Sequence, residues 1–537
     1  MFSGSADRLP QLGRLASFRR LPRFSVLPWP WLAQLGNSAV TTEILLGVDI
    51  GTTDSKVLVT GIEGTEILSA ATPSRWTNHD GRYTDMPAED LARTVLDLLE
   101  RAVLKTTAEL GPVRVSGIGV TAMGEAGVLL DEHSHAVFPI IAWFDPRGAE
   151  EMSRFPAEVL EQFWGRTGLP VSPTATVAKL AWMRSTGVDF TRKTWLNVAE
   201  YVVYRLGGEA ATELSLLART GLLDQDTEAL WPAAVAAVGA SPELVPPRVL
   251  AGTPLGRSSN CHGPVPKILH GAVLTVAGHD HPVAAIGCGV LGADELFDSF
   301  GTAEALVRTV PGELDYAARE RLARNGIDVV HHVLAGRRAL IGGTKAGLVL
   351  RRTLRLLGAD DSEGRSRLDR AVMNLPPSLT PLPGLEVRGA ANSDGILKIV
   401  AARDDITPAT LWRATLDHAM DEARACLARM AQETGPVSAT VVAGGWIGMR
   451  SVRTAKQLSL TNVRFSTRAQ AGAFGAALFA AHAVDQADQM TATGDNSAVG
   501  LSRPTGPDAR FAADFGRLQP RSTPARHKPP QHQETVA

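Results

Sequence analysis

The apolar run Ile44, Leu45, Leu46, Val48 and Ile50 carries one carboxylate, Asp49, in its middle, and Gly51-Thr52-Thr53-Asp54-Ser55-Lys56 follows it. A carboxylate in a strand that reads as buried is costly unless it is paired, hydrogen-bonded or holding a cation. The turn after it can aim backbone N–H groups and hydroxyls at one spot, a nest for phosphate oxygens, with Lys56 adding positive charge. An ordinary hairpin turn uses the same residue types, so the turn alone decides little. Asp49 shifts the balance, because hydrated Mg²⁺ commonly binds through one or two carboxylates plus phosphates. No Walker loop is present, and the turn leads to a strand instead of a helix.

Other segments could carry chemistry. In "LTVAGHDHPVAAIGCG" (274–289) an extended strand would point His279 and His281 one way and Asp280 the other, so the three would not converge on a metal. Asp280 then reads as a carboxylate facing a cleft. "AWFDPRG" gathers Trp143, Asp145 and Arg147; alone, Asp-Pro-Arg reads as an exposed turn with a weak ion pair. Glu125, between Gly124 and Gly127, is either a solvated turn residue or a substrate contact. Gly444-Gly445 follows a strand, where a backbone could approach a purine face or simply turn. The small-residue stretch 471–483 reads as a closely packed helix, and His331-His332 reads as structural.

These residues need positioning elements. Residues 44–50, 56–61 and 65–71 read as strands, and 87–109 as an amphipathic helix with apolar residues at helical spacing. Another strand follows "GPV" at 111–113. The plan recurs: "FDSFGTAEALVRT" (297–309) echoes "VDIGTTDSKVLVT", 407–433 reads as a second long helix, and "ETGPV" (433–437) repeats "ELGPV" (109–113). Alternating strands and helices repeated in one order predict an α/β protein of two domains of like topology with a cleft between them. Gly301-Thr302 would supply a second phosphate nest across that cleft. Two nests and a carboxylate describe a nucleotide site.

The bulk numbers agree. A chain of 537 residues exceeds one ordinary core. Lys and Arg number 54 against 56 Asp and Glu, which leaves no nucleic-acid footprint. No apolar run approaches the roughly 18 residues of a membrane span. Three cysteines without metal-type spacing suit a reducing compartment, and a cytoplasmic protein is expected. Residues 1–43 are Arg-rich and acid-poor, an accessory or mis-started extension or a targeting segment. Residues 486–537 read as a disordered tail.

Together the segments resemble the FGGY family of carbohydrate kinases, across roughly residues 44–484. "GVDIGTTDSKVLV" and "FDSFGTAEALV" look like its two phosphate motifs, "AWFDPRG" like its substrate segment, "VAGHDHPVAAIG" like the stretch with its catalytic aspartate, and "VVAGGWIGMRSVRTAKQ" like its adenosine motif. The resemblance implies two ribonuclease-H-like (actin-like ATPase) domains flanking a central cleft: 44–290 for sugar and phosphate, 291–485 for nucleotide. It implies transfer of the terminal phosphate of ATP, with Mg²⁺, to a sugar, ketose or polyol. Asp280 would be the general base, with Asp49 and Asp280 at the metal. Gly51, Thr52, Thr53, Lys56, Gly301 and Thr302 would meet the phosphates, and Gly347, Gly444 and Gly445 the nucleotide. Glu125, Trp143, Asp145 and Arg147 would line the substrate pocket. Met123-Gly124-Glu125 and His281 depart from the usual family residues and leave the substrate open. A homodimer and a non-catalytic nucleotide- and sugar-binding sensor on the same fold also stay open.

Overall fold

The computed structural model of the chain describes residues 41–376, 382–391 and 395–493. The expected extension lies outside this range except at its end, where the first strand begins at Thr42.

Strands β1 (Thr42–Ile50), β2 (Asp54–Gly61) and β3 (Glu66–Pro73) form an antiparallel meander. Helix α1 (Ala88–Leu110) returns the chain to β4 (Val113–Ala122), which lies parallel to β1. After a long excursion, β5 (Val273–His279) adds parallel to β4, and α2 (Asp280–Gly287) leaves it. The sheet order is β5-β4-β1-β2-β3.

The chain then builds the same plan again. It runs through β6 (Glu295–Phe300), β7 (Glu304–Pro311), β8 (Ile327–His331), β9 (Arg337–Thr344), α3 (Ala346–Leu356) and α4 (Pro408–Thr434). It closes with β10 (Ala439–Ala443), α5 (Arg450–Ser459) and β11 (Val463–Phe465). The order is β11-β10-β6-β7-β9-β8, and its first five strands repeat the parallel and antiparallel steps of the first sheet.

Local sequence explains the elements. Leu91, Val95, Leu98, Leu99 and Ala102 put one face of α1 against Ile44, Leu46, Val48 and Ile50 of β1. Pro408 opens α4, and the Thr407 side chain caps it by accepting from the Thr410 N–H.

The last helix, α6 (Ala471–Thr493), corrects two expectations. It covers the other face of the first sheet instead of the second, although residues 471–485 were assigned to the second domain. A Cβ on Gly47 would lie 1.8 Å from the Ala473 carbonyl oxygen, and one on Gly119 2.1 Å from that of Ala476. Only glycine lets backbones approach so closely. The helix also continues through residues 486–493, where a disordered tail was expected; residues 494–537 lie outside the described range.

Candidate active site

Alternation along β1 turns Leu46, Val48 and Ile50 toward α1 and Asp49 toward the first turn of α6. There Gly472 leaves room for the carboxylate: a Cβ on it would lie 2.5 Å from Asp49 Oδ2. Burial pushes Asp49 up to about 6; Lys56, its partner on β2, and His281 oppose the rise, and the charge of Asp280 adds to it. Asp49 and Asp280 are therefore electrostatic neighbours.

Asp280 is not in a strand. The β4–β5 ladder slips between Val276 and Gly278, Gly278 takes φ 106°, and α2 starts at Asp280. This corrects the extended reading of 279–281. His279 ends the strand and is buried, with Nε2 3.3 Å from Asp280 Oδ1. Burial, then Arg219 and His281, keep His279 neutral, well below its ordinary range. The Asp280 side chain stays 23% exposed, so it can reach a ligand.

The turn at 51–54 is closed by the Gly51 N–H on the Asp54 carbonyl (3.0 Å) and leaves Thr53 exposed. Trp76 donates to the Thr52 carbonyl (2.7 Å), and Trp143 to the Thr52 hydroxyl (2.9 Å). Trp143 also lies under the ammonium of Lys345, 5.9 Å from the ring centre, which joins the first turn to the head of α3.

The second turn meets the same helix. A Cβ on Gly347 would lie 1.8 Å from the Gly301 carbonyl oxygen, which accepts from Trp446 Nε1 at 2.9 Å. Gly444, at φ 114°, lies against the Phe300 backbone. Gly301, Gly347 and Gly444 thus meet at one place; Gly445 borders open space and Thr302 is exposed.

The echo of Asp49 in the second half is not an aspartate. Two residues before the glycine stand Asp49 in β1 and Ser299 in β6, both partly exposed, whereas Asp298 faces the other way and is wholly buried. Asp298 lies 2.6 Å from Lys456 Nζ, which also pairs with Glu304; Thr344 donates to Glu304 at 2.7 Å. Burial pushes Asp298 up, Lys456 opposes this, and Glu304 reinforces it.

Residues 44–287 match the N-terminal domain of the FGGY family of carbohydrate kinases. This part of the chain belongs to that family. It is 25% identical to the L-fuculokinase of Escherichia coli K12 over 272 residues, 49% of this chain and only 56% of that relative. It is 28% identical to the xylulose kinase of Streptomyces rubiginosus over 83% of this chain and 89% of that relative. The crystal structure of Plasmodium falciparum glycerol kinase with ADP superposes with a TM-score of 0.73 at 16% identity, covering 89% of this chain and 97% of that one. The fold is that of two ribonuclease-H-like halves. Among the described residues no helix is long and apolar enough to cross a membrane.

The "AWFDPRG" segment of this FGGY domain is not the exposed turn that its residues suggest in isolation. Asp145 accepts from the Thr84 N–H (2.5 Å), the Arg147 N–H (2.8 Å) and the Arg147 guanidinium, which also reaches Asp85 at 3.0 Å. Burial works against its charge, but these donors outweigh it and hold Asp145 below the usual carboxylate range. Trp143 therefore faces the first turn, while the Asp145–Arg147 pair fastens the segment from behind.

Glu125 is likewise no solvated turn residue. It is buried at φ 59°, a strained value for a residue with a Cβ, and it pairs with Arg219 through both Nε (2.7 Å) and Nη2. Arg219 Nη1 reaches Asp328 of β8 at 2.6 Å, so one guanidinium joins the two halves. A Cβ on Gly124 would lie 2.9 Å from Arg219 Cγ and 3.3 Å from His279 Cδ2, so Gly124 makes room for Arg219 beside Asp280. Sequence reasoning missed Arg219, Asp328, Trp446 and Lys456, which reach their partners from 94 to 152 residues away.

Proposed function

We propose that this FGGY chain transfers the terminal phosphate of ATP to a hydroxyl of a sugar, ketose or polyol. One observation carries the reading: Asp280, partly exposed at the head of α2, stands beside the partly exposed Asp49, next to the first Gly-Thr turn. Asp280 accepts the hydroxyl proton, the freed oxygen attacks the terminal phosphorus, and ADP leaves. The transition state is loose, so catalysis is mostly positioning and charge neutralisation. Gly51, Thr52, Thr53 and Lys56 receive phosphate oxygens from one half, Gly301 and Thr302 from the other. Gly347, Gly444 and Gly445 face the nucleotide. Trp143 and Glu125 border the alcohol, with Asp145 and Arg147 behind Trp143. Residues 44–290 form the sugar and phosphate side and 291–470 the nucleotide side.

The residues fit Mg²⁺. Among the described residues none donates a hydrogen bond to the Asp49 carboxylate, and two acids share one pocket, the donor set a hard cation takes. Asp49 and Asp280 would hold the ion, which when bound neutralises phosphate charge. The three unpaired cysteines suit the reducing cytoplasm.

A coupled ADP-release assay over pentuloses, hexuloses, polyols and aldonates tests the reading. Alcohol-stimulated release is expected. Nucleotide and sugar binding without turnover would replace the kinase by a sensor.

A further inference from the structure

We infer that Thr121 and Ser215, the latter held by Glu213, are positioning residues that clamp the peptide between Gly278 and His279 and so set the direction of the Asp280 carboxylate. The inference rests on the kinase reading for the role of Asp280. Side chains hold both polar groups of this one peptide. The Gly278 carbonyl accepts from the Thr121 hydroxyl at 2.7 Å, and the His279 N–H donates to Ser215 Oγ at 3.0 Å. Ser215 Oγ donates in turn to Glu213 Oε2 at 2.5 Å. A serine hydroxyl has one hydrogen to give, so its commitment to Glu213 leaves the oxygen as the acceptor for His279. Thr121, Glu213 and Ser215 are all buried.

The corner before α2 needs such a clamp. The β4–β5 ladder slips between Val276 and Gly278, so regular pairing is broken just where the chain must turn into the helix. A Cβ on Gly278 would lie 2.6 Å from Ser215 Oγ and 3.0 Å from Glu213 Oε2, so the couple packs directly against the corner. Thr121 stands in one row of the sheet between Asp49 on β1 and Gly278 on β5, and its hydroxyl ties the two acid-bearing ends together. Asp280 Oδ1 accepts from the His281 N–H at 2.7 Å and lies 3.3 Å from His279 Nε2, so a turn of the peptide is passed on to the carboxylate. Glu213 also caps the short helix Leu214–Leu217 by accepting from the Leu216 N–H at 3.0 Å. That cap does not use the Ser215 hydroxyl. The bond from Ser215 to His279, 64 residues further on, serves the corner instead.

Loss of the Ser215 hydroxyl leaves a buried N–H without its acceptor, which the peptide relieves by turning. A proton acceptor works only within hydrogen-bond reach of the alcohol, and a displacement of about 1 Å costs on the order of 100-fold in rate.

The test is alcohol-dependent ADP release by the full chain with MgATP and the fastest alcohol from a panel of pentuloses, hexuloses, polyols and aldonates. Turnover is expressed per ADP-binding site titrated by calorimetry, so that a loss of folded chain does not count as a loss of rate. Ser215→Ala is expected to lower kcat roughly 100-fold with the KM for ATP unchanged. In the Asp280→Asn background the same substitution should cost nothing further, because no base is left to position. Glu213→Gln, which keeps an acceptor oxygen for Ser215, should recover most of the turnover that Glu213→Ala loses. Thr121→Val keeps the shape and drops the other bond; it should lower kcat in the same direction, and it carries the test if Ser215→Ala yields no folded chain. Parental kcat per site in Ser215→Ala or, failing that, in Thr121→Val would overturn the inference and leave the kinase reading intact. An equal further loss in the Asp280→Asn background would also overturn it. Absence of alcohol-dependent release from the parent chain would overturn both.

Discussion

The indole N–H of Trp143 donates to the Thr52 hydroxyl at 2.9 Å across 91 residues of chain. The contact joins the segment read as lining the alcohol to the turn read as holding phosphate. Trp143→Phe and Thr52→Val each remove one hydrogen bond, worth about 1 kcal/mol, and should each lower kcat/KM roughly fivefold. In a double-mutant cycle the double variant should be little worse than either single one. Additive losses would mean that the two residues act separately.

The buried triad of Lys456, Asp298 and Glu304 lies beneath the second turn, with Lys456 Nζ 4.1 Å from the Phe300 ring centre. Lys456→Met strands two acids without a counter-charge and should cost about 3–5 kcal/mol in urea denaturation. Adding Asp298→Asn and Glu304→Gln to that variant should restore part of the loss. A single variant as stable as the parent would show that the triad is not buried.

Glu213 is buried, accepts from Ser215 Oγ at 2.5 Å, and is pushed by burial from 4.5 up to about 7. Between those values the folded chain holds more protons than the unfolded one, so this group lowers stability as pH rises through the window. Glu213→Gln keeps an oxygen for Ser215 and should flatten the fall in melting temperature between about pH 4.5 and 7. An unchanged profile would locate the dependence elsewhere.

Much of the frame was legible because it is local. The strands beside each Gly-Thr turn, both long helices and the order of the repeat follow from patterns within a few residues. What escaped the sequence depends on distant partners or a small shift of register. Ser299 rather than Asp298 takes the place of Asp49, and alternation then sends Asp298 into the core. Asp280 moved from strand to helix because the ladder slips at Gly278. Glu125 is buried because Arg219, far along the chain, neutralises it, and α6 returns to the first sheet because Gly47 and Gly119 admit its backbone. No neighbour in sequence announces any of these.

The most direct test replaces Asp280 by Asn and measures alcohol-dependent ADP release together with ATP affinity. Removing the proton acceptor should lower turnover by roughly 10²–10⁴-fold while ATP binds about as well as to the parent. Alcohol-dependent release at the parental rate would contradict the role of Asp280 as general base.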